Sequence, residues 1–450
     1  MYKNTTAILD ITALSSEGAG IARHESGIVT FVVGTAVGDK VNALIIKEAK
    51  DYLVAKPLEI ITPSPDRVEV DCESYNAHCG GCVYRHIGYE SEKLSKLGIV
   101  RSALRDIDPA LLPTEVAAAR TERYRNKAAY PVDENLRFGY YAARSHRVVP
   151  HTDCALEPRE FSEVAAYLCE LCRKYGISGY NETTCKGVLR HIFMRVSRTG
   201  DMLLMPVVNA ERLPHEREIA REITNRFGFI KGICVNVNRQ NTNVITGDTT
   251  YTLWGEEYIG ETLCGKQFLV SAMSFFQVNP YTCELLYGAV KDMARGAKTV
   301  LDLYCGIGTI GLTAAPDDAS LCGVEVIPEA IADAKRNTAL CGRNDTNTHF
   351  VCGDASVGVK ECVGRFGTPD LIIVDPPRKG LSCEVIDTVA TASPQKVIYV
   401  SCNPFTLGRD LALFKDKGYA PTTVKCFDMF PRTGHVETVV LMSKVHTPKD

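Results

Sequence analysis

Nowhere does this chain reach the roughly 20 consecutive apolar residues that a membrane-spanning helix needs, so a helical membrane protein is excluded and no membrane partner is expected. The opening residues 1–6 lack the basic and apolar segments of a secretory signal, and a cytoplasmic location is expected. Excess charge of either sign is also missing. The 51 Lys and Arg residues balance 54 Asp and Glu to a net −3, so nucleic acid would have to be held by a local basic surface rather than by the field of the whole molecule. Internal repeats and low-complexity stretches are absent. Of the 18 cysteines, the earliest is Cys72, and without an export signal disulfides are not expected. Cys234, Cys322 and Cys352 lie in apolar runs and read as core thiols.

With 450 residues, 45% hydrophobic and 23% charged, the chain has the make-up of a globular protein of roughly two to four domains. Residues 1–62 show short alternating runs separated by Gly and Asp turns, the pattern of a small β-barrel. Pro57, Pro63 and Pro65 mark its end. A mixed α+β stretch, 63–268, follows, with a helix-like segment at 91–113 that could pack on the next domain. From 269 to 450, strand and helix signals alternate as in a doubly wound α/β parallel sheet, and the runs 422–427 and 436–442 close it as an antiparallel pair.

The run 299–304 leads into Gly306, Gly308 and Gly311, a spacing that lets backbone turn sharply beside a ligand before a helix begins. Dinucleotide enzymes share that spacing. Asp302, however, would repel a pyrophosphate at this position but could bind the cationic amino-acid end of S-adenosylmethionine. Glu325 ends the next strand-like run, where a carboxylate can accept hydrogen bonds from both ribose hydroxyls, and Asp354, after the third, suits an adenine edge.

The fourth run, 371–374, enters Asp375-Pro376-Pro377-Arg378, where two prolines stiffen the loop that presents Asp375 at a ligand-binding strand end. An aromatic after the prolines would suggest amino methylation, but Arg378 stands there. The fifth run delivers Cys402 to the same edge. A thiolate adding to uracil C6 would turn the ring into an enolate whose C5 can attack a methyl donor. The adduct must then lose its C5 proton, and Glu437, at the start of the last strand, is the best-placed base. Cytosine-5 DNA methylation is the nearest rival chemistry, but its cysteine commonly follows proline, whereas Cys402 precedes Asn403-Pro404.

In order and number, several motifs resemble the uracil-5 RNA methyltransferases, in particular the iron–sulfur 23S rRNA branch with an N-terminal OB-like TRAM barrel. They are Cys79-Gly80-Gly81-Cys82, Tyr124-Arg125-Asn126-Lys127, Ser274-Phe275-Phe276-Gln277, the 302–308 loop, Asp375–Gly380, Ser401–Pro404 and His435-Val436-Glu437. The resemblance implies a Rossmann-like methyltransferase domain with Cys402 as nucleophile and Glu437 as proton acceptor. It puts Gln277, Tyr304, Thr309, Glu325 and Asp375 around S-adenosylmethionine, and a 4Fe–4S cluster on Cys72, Cys79, Cys82 and Cys154. Six residues separate Cys72 from Cys79 where five is more usual in that family. From the residues alone, four thiolates serve zinc equally well.

Residues 116–148 combine Arg120, Arg123, Arg125, Lys127, Arg137, Arg144 and Arg147 with Tyr124, Tyr130, Phe138, Tyr140 and Tyr141, a mixture suited to phosphate neutralisation and base stacking on single-stranded RNA. The expected substrate is an accessible or flipped-out uridine of 23S rRNA, with tRNA as the alternative, and the protein is expected to act as a monomer. Two other classes remain: an inactive RNA-binding assembly factor, against which Cys402, Glu437, Asp375 and Gln277 argue, and a radical S-adenosylmethionine protein, whose Cys-x3-Cys-x2-Cys spacing is missing.

Overall fold

The structure, a computed structural model, describes residues 2–445; the last five positions of the 269–450 stretch lie outside the described residues. Residues Thr6–Thr62 build one six-stranded sheet in which side chains alternate inward and outward, as in Lys40–Glu48. Leu9, Ile11, Val32, Val41, Ile45 and Leu53 fill its interior. The buried Asp39 carboxylate accepts hydrogen bonds from Ala36 N, Ser64 N and Arg67 Nε, which fixes the exit of the chain from this sheet.

A second sheet has the strand order Thr249–Gly255, Ile230–Val237, Met202–Val208, Leu189–Val196 and Lys127–Pro131. Helix Arg159–Lys174 covers one face by placing Phe161, Val164, Ala165, Leu168 and Cys172 at helical spacing, each large apolar side chain contributing about 1.5–3 kcal/mol on burial.

The third sheet has eight strands: Thr348–Cys352, Ser320–Glu325, Thr299–Leu303, Leu371–Val374, Lys396–Ser401, Glu437–Lys444, Tyr419–Phe427 and Val116–Ala117. The first five are parallel and Glu437–Lys444 is antiparallel to both neighbours. Leu371–Val374 is buried throughout, as expected for a parallel strand with helices on both faces. Strand order reverses between Thr299–Leu303 and Leu371–Val374, opening a crevice at their carboxyl ends.

The segment 91–113 is not one helix. Helix Tyr89–Ala103 is followed by a short 3-10 turn, Pro109–Leu111, which Asp108 caps, because Pro109 and Pro113 cannot continue the ladder. Leu97, Val100 and Leu104 pack with Leu407 and Leu411 of the third sheet's covering layer, and Val116–Ala117 extends that sheet by hydrogen bonding beside Phe427. Hairpin Tyr258–Leu263 and Lys266–Ser271 sends Leu263, Phe268 and Val270 into the same sheet's opposite core. Residues 63–268 therefore serve two layers.

Two cysteines differ from expectation. Cys322 is joined to Cys362 in a disulfide, since its strand packs on helix Ala355–Phe366 with the two Cα atoms 5.9 Å apart. Cys352 is exposed, because it ends the outermost strand of the sheet.

Candidate active site

Strand Thr299–Leu303 ends in a loop where Tyr304, Gly306 and Gly308 all adopt positive φ (64°, 54° and 84°) before helix Thr309–Ala314. The glycines meet that requirement without a side-chain penalty. Asp302 Oδ2 accepts the Gly311 amide at 2.8 Å, and a Cβ at Gly311 would stand 2.8 Å from that oxygen. Asp302 thus pins the loop instead of offering its whole carboxylate to a ligand. Its other oxygen, Oδ1, is buried and unpartnered, and burial raises its pKa to about 7. A cationic donor group is the natural partner for such an oxygen.

Glu325 Oε2 accepts from Gly306 N at 3.2 Å, while Oε1 accepts from Val326 N and Ile327 N. The glycine loop and the second strand end are thereby locked together. Thr309 Oγ1 bonds with the buried Tyr287 hydroxyl at 3.0 Å. Gln277 is buried, and its main-chain carbonyl accepts from Asn126 Nδ2. Tyr304 is half-buried, whereas Asp354 is exposed and spends one oxygen capping helix Ala355–Phe366 through Ser356 N.

Asp375 follows Leu371–Val374, and burial raises its carboxyl pKa to about 7. The Arg378 carbonyl accepts from Asn403 Nδ2 at 3.1 Å, which ties the Asp375 loop to the turn bearing Cys402. Asn403 Oδ1 in turn caps helix Pro404–Asp416 through Phe405 N. On the antiparallel neighbour, Ser401 pairs with Thr438, so the same register sets Cys402 opposite Glu437. A ring nitrogen of His435, two residues before Glu437, lies 3.0 Å from Arg378 Nη2, and burial with that guanidinium lowers the imidazole pKa to about 4. Arg378 and His435 lie inside motifs read from the sequence, but their pairing could not be, because 57 positions separate them.

Burial, reinforced by the charges of Glu437 and Asp375, raises the Cys402 thiol to about 11, against the pull of Arg378. Burial and Asp375 raise Glu437 to about 8. The nucleophile and base roles expected of Cys402 and Glu437 both require the deprotonated form, so on that expectation the rate climbs as pH rises toward these values. Steady-state methylation measured between about pH 6 and about pH 9 should show that alkaline climb, and a flat profile would contradict it.

A family model described as tRNA (Uracil-5-)-methyltransferase matches residues 365–445, and a TRAM domain model matches residues 2–58. A Halalkalibacterium halodurans protein described as an uncharacterized RNA methyltransferase is 39% identical, across 98% of this chain and 97% of its own. A second, from Clostridium acetobutylicum, is 37% identical across 98% of each. The chain belongs to the RNA uracil-5 methyltransferases. It is an S-adenosylmethionine-dependent enzyme, and the solved Pyrococcus abyssi tRNA (uracil-54, C5)-methyltransferase in complex with S-adenosyl-L-homocysteine superposes on it with a TM-score of 0.79, at 26% identity, covering 97% of this chain and 100% of the other.

In this methyltransferase Cys72, Cys79, Cys82 and Cys154 line one cavity of about 50 Å³ together with Tyr75, Tyr140 and His151. Among the described residues no three His, Cys, Asp or Glu side chains converge closely enough to hold a single metal ion. Burial raises Cys82 to about 12, so the thiol is neutral without a cation beside it.

The 116–148 segment departs from its expected role. Tyr124 and Tyr130 are buried and cannot stack on a base. Tyr130 and Tyr140 instead donate to the buried Glu157 carboxylate, and Tyr124 donates to Pro431 O. Arg123 is committed to Asp153 and to the Cys154 and Glu157 carbonyls. Lys127 lies over the Phe193 ring at 4.6 Å. What remains outside is Arg137, Arg144 and Arg147, of which Arg144 reaches Glu17 of the N-terminal sheet.

Proposed function

We propose that this enzyme methylates C5 of a uridine in 23S rRNA through a covalent Cys402 adduct, and that Cys72, Cys79, Cys82 and Cys154 carry a 4Fe–4S cluster. The observation that carries the reading is the strand register that sets Cys402 opposite Glu437, above Asp375 and a glycine loop whose Asp302 keeps one oxygen unpartnered. The Cys402 sulfur bonds to C6, and the C5=C6 electron pair moves onto the ring carbonyl as an enolate. C5 then takes the methyl group from the sulfonium of the donor, which leaves as S-adenosylhomocysteine. Glu437 accepts the C5 proton, the double bond re-forms, and the thiolate departs.

The rRNA assignment rests on the motif set shared with the 23S branch, including its cysteine segment. A second reading, a tRNA substrate, is favoured by the likeness to the Pyrococcus abyssi tRNA enzyme. In either case selection falls to the TRAM domain and the exposed Arg144 and Arg147 beside it, since one flipped base identifies nothing among many uridines. Mapping 5-methyluridine by mass spectrometry in rRNA and tRNA, from cells with and without the gene, tests this: loss at a 23S position is expected, and loss only in tRNA overturns it.

The donor set fits the cluster, being four thiols around one cavity. Methyl transfer needs no electron, so the group would brace this segment or orient RNA. Enzyme purified without oxygen should be brown, with broad absorption near ~400 nm that disappears in Cys79→Ser. Elemental analysis giving zinc and no iron would refute the cluster.

A further inference from the structure

Charged side chains of alternating sign run without a break from the four-cysteine segment to the loop that precedes Glu437. Asp71, next to Cys72, pairs with Arg85 at 2.8 Å, and Arg85 pairs with Glu122 at 3.0 Å. Glu122 faces Arg432 at 3.8 Å, and Arg432 faces Glu92 at 3.6 Å. Glu92 then holds Lys96 at 2.7 Å, and Lys96 holds Asp428 at 2.7 Å. Lys96, Glu92 and Asp428 are completely buried, whereas Asp71 and Glu122 reach solvent at the other end.

The loop 428–436 is where these ties converge. Asp428 also accepts from the Tyr89 hydroxyl and from Phe430 N. Arg432 stands at φ 70°, a left-handed conformation that an arginine keeps only when its surroundings impose it. Its amide donates to Glu92 Oε1 at 2.7 Å, and its carbonyl accepts from Val83 N at 2.8 Å, the residue directly after Cys82. Lys96 Nζ and the Tyr124 hydroxyl donate to the Phe430 and Pro431 carbonyls. At Gly434 even a Cβ would collide with Ser16 O, so the first sheet presses on the loop as well. Beyond it come His435, against Arg378, and Glu437.

Buried ion pairs add little stability over apolar packing of the same volume, but in some proteins they select one geometry. A loop needing only stability would have no use for two charges, Glu92 and Lys96, taken from a helix more than 330 positions away. We propose that Arg432, Glu92, Lys96 and Asp428 are positioning residues, which hold Glu437 against the Cys402 adduct and anchor that geometry in the four-cysteine segment through Arg85 and Val83. This inference rests on Glu437 being the proton acceptor.

The test uses the enzyme purified without oxygen, a uridine-containing 23S fragment and a denaturing gel that retains covalent protein–RNA adducts. In Arg432→Gln the adduct should accumulate and turnover should fall roughly 10²-fold, as misplacement by about an ångström costs at a reacting centre, with RNA affinity and melting temperature near those of the parent. Arg432→Lys should restore most of the turnover. A purely structural role would lower the melting temperature without trapping adduct. Should Arg432→Gln not fold, Glu122→Gln, at a half-exposed position, reads the same link from its other side and should trap a smaller amount of adduct. Normal turnover in a folded Arg432→Gln or Glu122→Gln, or a loss confined to RNA affinity, overturns the proposal. Glu437→Gln run in parallel separates the two readings: if it fails to trap adduct, the base assignment is wrong, and if it traps adduct while the Arg432 and Glu122 variants do not, only the ionic chain is wrong.

Discussion

Replacing Cys402 with alanine is expected to abolish turnover, by a factor on the order of 10⁶ as when a covalent nucleophile is removed, while leaving S-adenosylmethionine binding intact. The thiol sits at the end of strand Lys396–Ser401, on the turn tied to Arg378 O, and in the proposed mechanism it acts on the base rather than on the donor. Without it the uracil ring never becomes an enolate, and C5 is too weak a nucleophile to attack a methyl group. The groups proposed to contact the donor lie on other elements, the 302–311 loop and Glu325, whose mutual hydrogen bonds do not involve Cys402. Radiolabelled methyl incorporation into RNA, measured beside calorimetric titration with S-adenosylhomocysteine, checks both halves. Substantial methylation by the alanine variant would remove Cys402 from the mechanism.

Glu437→Gln should fail at a later step. Thiolate addition and methyl transfer can proceed, but the C5 proton then has no acceptor, so the enzyme remains bonded to RNA through Cys402. A slowly migrating band on a denaturing gel, sensitive to ribonuclease, is the expected result. The amide is also neutral at every pH, which removes the partner that helps hold Cys402 protonated at present. Adduct formation should therefore begin at lower pH in Glu437→Gln than single turnover does in the parent enzyme. Ordinary turnover by the variant, or simple loss of RNA binding, would show that another group takes the proton.

Much of this site was legible because its parts are local. An apolar run of strand length, followed by Gly306, Gly308 and Gly311, needs no knowledge of the rest of the chain, and the structure has the sharp turn there, with Gly306 and Gly308 at positive φ and Gly311 in the helix that follows. The acidic strand ends Asp302, Glu325 and Asp375 do fall at one edge of one sheet. The role of Asp302 was harder to read. Its link to Gly311 spans nine positions across a turn, and only the folded loop shows one oxygen engaged and the other left over. The basic and aromatic 116–148 segment misled for a related reason. Composition counts tyrosines and arginines but says nothing of Glu157, around which Tyr130 and Tyr140 gather below the surface.

Backbone preferences and hydrophobic period act over a few residues, so strands, glycine turns and the order of the layers follow from the chain as written. Which of those pieces touch is settled by packing between distant segments. Helix Tyr89–Ala103 joins the catalytic layer, Val116–Ala117 becomes its eighth strand, and Lys96 meets Asp428 across 332 positions. No local signal announces such contacts, since a buried lysine and an exposed one are the same letter until the surrounding surface closes over it. The pair proposed to react shows both sides of this: Cys402 and Glu437 each announce themselves at a strand end, but the antiparallel register that brings them face to face exists only once the sheet is assembled.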